Sequence, residues 1–163
     1  MWGRGKSKLI NQKTCYDVKM TFSSHNWVLD KRLDADTFLI EENDLEILLL
    51  MNDARWPWLI LVPKVTGAEE WHDLGVGLNA KILERISSIS SGLKVHTGCE
   101  KVNVAALGNI VRQLHVHIVA RTEGDPNWPS PVWGYGTAER YLEPQGSAFA
   151  KELERAMNVP SVY

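Results

Sequence analysis

The sequence predicts an α+β fold: an antiparallel β-sheet of about five strands with helices packed on it. Three observations predict it. Apolar runs at 46–52 and 58–62 are the length of buried strands and end in turn-forming residues. Leu78, Ile82, Ile86, Ile89 and Leu93 recur at helical spacing, four, four, three and four apart. Two further strand-like segments flank Gly108-Asn109, a pair suited to a tight hairpin turn.

In chain order, residues 1–20 are polar and weakly patterned, and are expected to form a partly ordered extension. Residues 21–163 are expected to form one domain, since 163 residues suffice for one good core but hardly for two. Phe22, followed by Ser23 or Ser24 as a cap, opens a short helix carrying Trp27, Leu29 and Leu33. Thr37 to Glu41 alternates weakly, as an exposed strand does. Glu46 to Asn52 is a buried strand. Trp58 to Val62 is another, introduced by Pro57 and ended by Pro63. Thr66-x-x-Glu69 fits a capping box for a short helical turn. The long helix follows Asp73 and stops near Gly92. Lys101 to Leu107 and Ile110 to Arg121 are strands joined by a two-residue turn. A tail rich in Trp and Pro runs from Asp125 to Gly134, and a last helix spans Ser147 to Met157.

Composition excludes several function classes. Apolar residues make up 44% and charged residues 23%, as in soluble domains. The net charge of -2 lacks the basic excess that grips a nucleic-acid polymer, although a few local donors suffice for one nucleotide. Cys15 and Cys99 form no CxxC pair and read as free thiols in a reducing compartment. Apolar stretches are too short to cross a bilayer, and the first residues are too polar for a signal peptide. The expectation is a cytoplasmic protein without membrane attachment.

The chemistry concentrates on one segment. Strand residues two apart share a face, so Gln113, His115, His117 and Arg121 point one way, while Leu114, Val116, Ile118 and Ala120 point into the core. A bare His-x-His also suits a solvated sheet face. Here the row follows Gly108-Asn109, whose backbone N–H groups suit a phosphate, and precedes a Trp-rich segment able to cover a site.

Gln113-Leu-His-Val-His-Ile-Val-Ala-Arg121 resembles the signature of the histidine-triad (HIT) superfamily. Asn103-Val-Ala-Ala-Leu-Gly108-Asn109 is similar to that family's preceding strand and turn, and Pro57-Trp-Leu-Ile-Leu-Val-Pro63 to an earlier core strand. The resemblance covers about residues 21–125. It implies attack by His115 on the α-phosphorus of a nucleotide, a nucleotidyl-histidine intermediate, and release to water or another acceptor. It implies that His117 contacts the phosphate and helps protonate the leaving oxygen, with Gln113 in the first triad place. Asn103, Gly108 and Asn109 are implied as contacts to phosphate or sugar. The substrate is then a purine nucleotide or nucleotidyl compound, of the dinucleoside polyphosphate or phosphoramidate type. No cofactor is expected, and a homodimer is. Gln113 replaces a histidine, and a further family histidine falls near Trp58. A bacterial subgroup is similar to this chain, with Gln in the first place and an Asp-Pro-x-Trp-Pro segment downstream, here Asp125-Pro-Asn-Trp-Pro129.

Two alternatives stay open: a module that binds nucleotide without turning it over, and a zinc site on the His-x-His pair, which lacks an evident third ligand. Trp128 and Trp133 suit base stacking or plain packing of the tail. Arg55 is read as a surface residue rather than a phosphate ligand. His25, His72 and His96 are expected in surface or capping roles, and Cys99 is expected to be inert.

Overall fold

A computed structural model describes residues 27–157. In order, α1 (Lys31–Ala35), β1 (Thr37–Glu42), β2 (Glu46–Met51) and β3 (Trp58–Pro63) precede a 3₁₀ turn at Trp71–Leu74. Then come α2 (Gly75–Thr97), β4 (Lys101–Ala106), β5 (Val116–Arg121) and α3 (Gln145–Met157). The strands form one sheet in the order β1-β2-β3-β5-β4. Every pairing is antiparallel. The expected α+β class and strand number hold.

Both faces of the central strands are covered, which explains why β2 and β3 read as uninterrupted apolar runs. Leu48, Leu50, Leu59, Leu61, Val116, Ile118 and Ala120 pack with the α2 stripe and with Ala150, Leu153 and Met157 of α3. On the opposite face Ile47, Leu49, Trp58, Ile60, Val62 and Val119 pack with Leu33, Trp56, Val111 and Val132, joined at their margin by Trp27, Leu29 and Trp133. Burial of a Leu- or Ile-sized side chain contributes about 1.5–3 kcal/mol, so these two layers dominate the stability of the domain.

Several expectations are corrected. The first helix begins at Lys31, and its cap is Asp30, whose carboxylate accepts from Arg32 N at 2.8 Å. Trp27 and Leu29 precede it outside any helix and pack at the margin of the second core layer. Phe22, Ser23 and Ser24, like the 1–20 extension, lie outside the described residues. The turn before α2 is organised by Asp73, which accepts from the N–H groups of Glu69 and Glu70 at 3.0 and 2.9 Å, and not by a Thr66 cap. Helix α2 runs through Gly92 to Thr97 and ends at Gly98, which takes φ 67° and donates to Lys94 O at 2.9 Å. Gly92 is a packing glycine. A Cβ there would stand 2.9 Å from Met157 Sδ, so its absence lets α3 approach α2.

The largest correction concerns β4 and β5. They pair from Ala106↔Val116 outward, so residues 107–115 form a loop and Gly108-Asn109 is not a two-residue hairpin turn. The chain leaves the ladder because residues 111–114 have partners elsewhere. Val111 buries in the second layer, Leu114 buries in the first, and Leu114 N donates to Ala68 O at 2.9 Å. Gln113 and His115 therefore precede β5 rather than lie on it.

Candidate functional site

His115 and His117 come together at the start of β5. Both are buried, with 5% and 7% of their surface exposed, so the solvated-face alternative fails. Their ring centroids lie 4.9 Å apart with planes at 80°. His115 Nδ1 lies 2.7 Å from Gln113 O. A carbonyl oxygen only accepts, so Nδ1 carries a proton, and in the neutral ring the lone pair is on Nε2. His117 has the reverse arrangement. Trp58 Nε1–H donates to His117 Nδ1 at 3.0 Å, so that nitrogen accepts and the proton sits on Nε2. Burial, reinforced by His115, pushes the His117 pKa down from 6.5 to about 3, leaving the ring neutral.

Register explains these contacts. Trp58 pairs with Val119 and Ile60 with His117, so the indole and the imidazole share the second face of the sheet one pleat apart. Trp133 closes over both rings, with its centroid 5.7 Å from His117 and 6.0 Å from Trp58. Beside His115 opens a small cleft, lined also by Glu69, Glu70, Leu107, Gly108 and Gln113. Its enclosed space is on the order of one or two water molecules, so any larger ligand would lie mostly outside it.

Residues 32–124 match the family model for the HIT domain. The chain belongs to the HIT family. A histidine triad protein from Sinorhizobium meliloti 1021 is 47% identical, with a TM-score of 0.77 over 80% of this chain and 97% of the other. One from Bradyrhizobium japonicum is 43% identical, with a TM-score of 0.76 over 80% and 98%. One from Marinobacter aquaeolei VT8 is also 43% identical, with a TM-score of 0.76 over 80% and 95%. No curated protein matches the chain.

In this HIT protein the Gln113 side chain serves the backbone. Its Oε1 accepts from Asp30 N at 2.9 Å, and its Nε2 donates to Val28 O at 3.0 Å. The amide thus clamps the segment that leads into α1, and the main-chain oxygen of Gln113 orients His115. Asn103, opposite Val119 on β4, uses Oδ1 to accept from Arg121 Nη1 at 3.2 Å. Gly108 lines the cleft, while Asn109 is exposed on the same loop and does not line it.

Two arginines tie down the Trp-rich tail. Arg121, 1% exposed, holds Asp125 through Nε and Nη2 at 2.8 Å each, reaches Ser130 O at 2.9 Å, and lies beneath the Trp128 ring. Trp128, half-buried, packs on this anchor of the tail. Arg55 is not the surface residue expected. It pairs with Asp53 through Nε and Nη2 at 2.8 and 2.6 Å, donates to Tyr135 O at 2.8 Å and stacks on Trp56. Only 8% of its side chain is exposed. The spacing of Arg121 and Asp125, four apart across a turn, was the available sequence signal for the first pair.

His72 is exposed, His96 lies 3.3 Å from Glu152, and Cys99 is buried as a free thiol. His25 and Cys15 lie outside the described residues. Among the described residues no three His, Cys, Asp or Glu side chains gather in a way that holds a metal ion. No described helix is long and apolar enough to cross a membrane.

Proposed function

We propose that this HIT protein is a hydrolase or transferase acting at the α-phosphate of a nucleotidyl substrate, with His115 as nucleophile. The observation that carries the reading is His115 Nδ1 at 2.7 Å from Gln113 O, which in the neutral ring leaves a lone pair on Nε2 of a residue that lines a small cleft. An imidazole fixed in this tautomer attacks without first losing a proton. The Nε2 lone pair forms the N–P bond, and the leaving group departs with the electrons of the bond it held. Water or another acceptor then forms a bond to phosphorus, and the Nε2 electron pair returns to His115.

His117 offers Nε2–H to a phosphoryl oxygen. Gly108 and Asn109 supply backbone N–H donors from the 107–115 loop, and Asn103 supplies its side-chain amino group, which has no protein partner among the described residues. Gln113 acts through its carbonyl and its clamp on residues 28–30 rather than on phosphate. Donors fixed in advance of charge development typically contribute about 3 kcal/mol each in acyl- and phosphoryl-transfer sites. The purine preference and homodimer that the family resemblance implies belong to the same proposal, as does the reducing cytoplasm in which a free Cys99 is stable.

The test is incubation with diadenosine polyphosphate and adenosine phosphoramidate, with acid-quenched samples examined by mass spectrometry for an adenylylated peptide containing His115. Turnover that His115→Ala abolishes supports the reading. Turnover that survives His115→Ala overturns it.

A second reading has its own observation. The replacement of the family's histidines by Gln113 and Trp58 commits both side chains to protein contacts, as suits a module that binds nucleotide and has lost its chemistry. Calorimetric titration with AMP and GMP, run beside the assay, separates the two: binding without turnover selects the module.

A further inference from the structure

Trp58 changes what its neighbour can do. An indole nitrogen is a donor only, with no lone pair to offer. Facing His117 Nδ1 at 3.0 Å, it obliges that nitrogen to accept. A second proton on the ring would set one N–H against another. The surroundings favour the same state, because β3 supplies Trp58 and Ile60, β4 supplies Ala105, and the tail supplies Trp133. Burial among these side chains opposes a positive charge on the ring, and a proton on neighbouring His115 would oppose it further. His117 thus has a hydrogen bond to give through Nε2–H but no proton to surrender at neutral pH, since loss of that proton would leave an imidazolate.

We infer that Trp58 is a positioning residue that holds His117 as a neutral Nε2–H donor. The site consequently favours nucleotidyl substrates whose leaving group departs as a weakly basic phosphate oxyanion over those whose leaving group is an amine. The inference rests on the attack by His115 proposed above. In that step the lone pair of His115 Nε2 forms the N–P bond, and the P–O bond to the departing phosphate breaks with its electrons on that oxygen. A phosphate with a second pKa of about 6 leaves unprotonated at pH 7. An amine with a pKa of about 10 must instead receive a proton as the P–N bond breaks. Glu69 at the cleft is no source of it, because its hydrogen bonds to Arg112 hold the carboxyl below its ordinary range and ionised. In the second step water forms the O–P bond, the N–P bond breaks toward His115, and the extra water proton passes to solvent.

Two measurements on the full chain decide the matter. The first is ¹⁵N spectroscopy of the imidazoles between pH 5 and 8. The expected result is a His117 ring with Nε2–H alone, unchanged over the range, and a mixed, titrating ring in Trp58→Phe. A His117 ring protonated on Nδ1, or titrating near 6.5 in the parent chain, overturns the inference. The second is kcat/KM for diadenosine tetraphosphate against adenosine phosphoramidate. Trp58→His supplies an imidazole able to accept as well as donate, and should lower the ratio of the two on the order of tenfold, a modest share of what a general acid provides. An unchanged ratio, in a variant whose melting curve shows a folded domain, overturns the leaving-group preference while the nucleophile survives. No turnover of either compound removes the hydrolase reading and the preference together, and the spectrum of the parent chain still judges the tautomer.

Discussion

Arg121 grips Asp125 with two hydrogen bonds of 2.8 Å from a position that is almost wholly buried, and this pair fastens the Trp-rich tail to the end of β5. The same guanidinium reaches Ser130 O, two residues before Val132 enters the second core layer. Trp133, which covers His117, therefore depends on a salt bridge that touches neither histidine.

Removing Asp125 leaves a buried guanidinium without its carboxylate. Breaking a buried pair in this way typically costs about 3–5 kcal/mol. Asp125→Ala should lower stability by about that amount in urea denaturation, and should speed hydrogen exchange across residues 126–134. Asp125→Asn, which keeps hydrogen-bond acceptance by one oxygen, should cost less. Equal losses in the two variants would show that charge compensation, not geometry, holds the tail.

The pH dependence of stability should carry the mark of His117. Its folded pKa of about 3 lies below the 6.5 of a free imidazole, so the unfolded chain takes up the proton first. The contribution is complete above pH 6.5 and is lost as pH falls toward 3, with a slope of up to about 1.4 kcal/mol per pH unit. Glu46 acts in the opposite sense, because burial raises its pKa despite Arg85. The useful quantity is thus the difference between the parent chain and His117→Gln. Between pH 6.5 and 5 the parent should lose stability relative to the variant; parallel curves would mean that the ring is solvated or charged in the native state.

Gln113 offers a test of clamp against catalyst. Gln113→Ala removes two hydrogen bonds to residues 28 and 30 but keeps the carbonyl that orients His115. At about 1 kcal/mol per bond, it should destabilise the domain by about 2 kcal/mol and raise proteolytic cleavage near Val28. Any nucleotide turnover should change less than it does in His115→Ala. Loss of turnover equal to that of His115→Ala would place the amide in the chemistry.

These contacts also show what the sequence made legible. The α2 stripe and the alternation of Val116, His117, Ile118 and Val119 report periodicity, which local spacing records directly. The pairing of His115 with His117 followed from that alternation. The 107–115 loop did not, since its departure from the ladder is driven by Ala68, Val28 and Asp30, all distant in sequence. Gly92 looked like a helix stop because its reason, Met157, lies on another helix. Trp58 looked like a missing histidine. Its hydrogen bond to His117 exists only once β3 and β5 are in register, and no local pattern encodes that register.

Strand β4 is the sheet edge next to the site, and its neighbourhood exposes Val104, Leu107 and Ile110. An open edge bordered by apolar side chains invites pairing unless it is covered. A second copy of this chain, joined edge to edge about a twofold axis, would cover both edges at once, since such an interface is self-complementary. The chain should therefore sediment as a dimer at micromolar concentration. Val104→Asp should shift it to monomer by placing a carboxylate on each of the two facing edges, with little change in melting temperature measured on the monomer. A dimer untouched by Val104→Asp would exclude β4 as the seam and turn attention to the exposed face of α2.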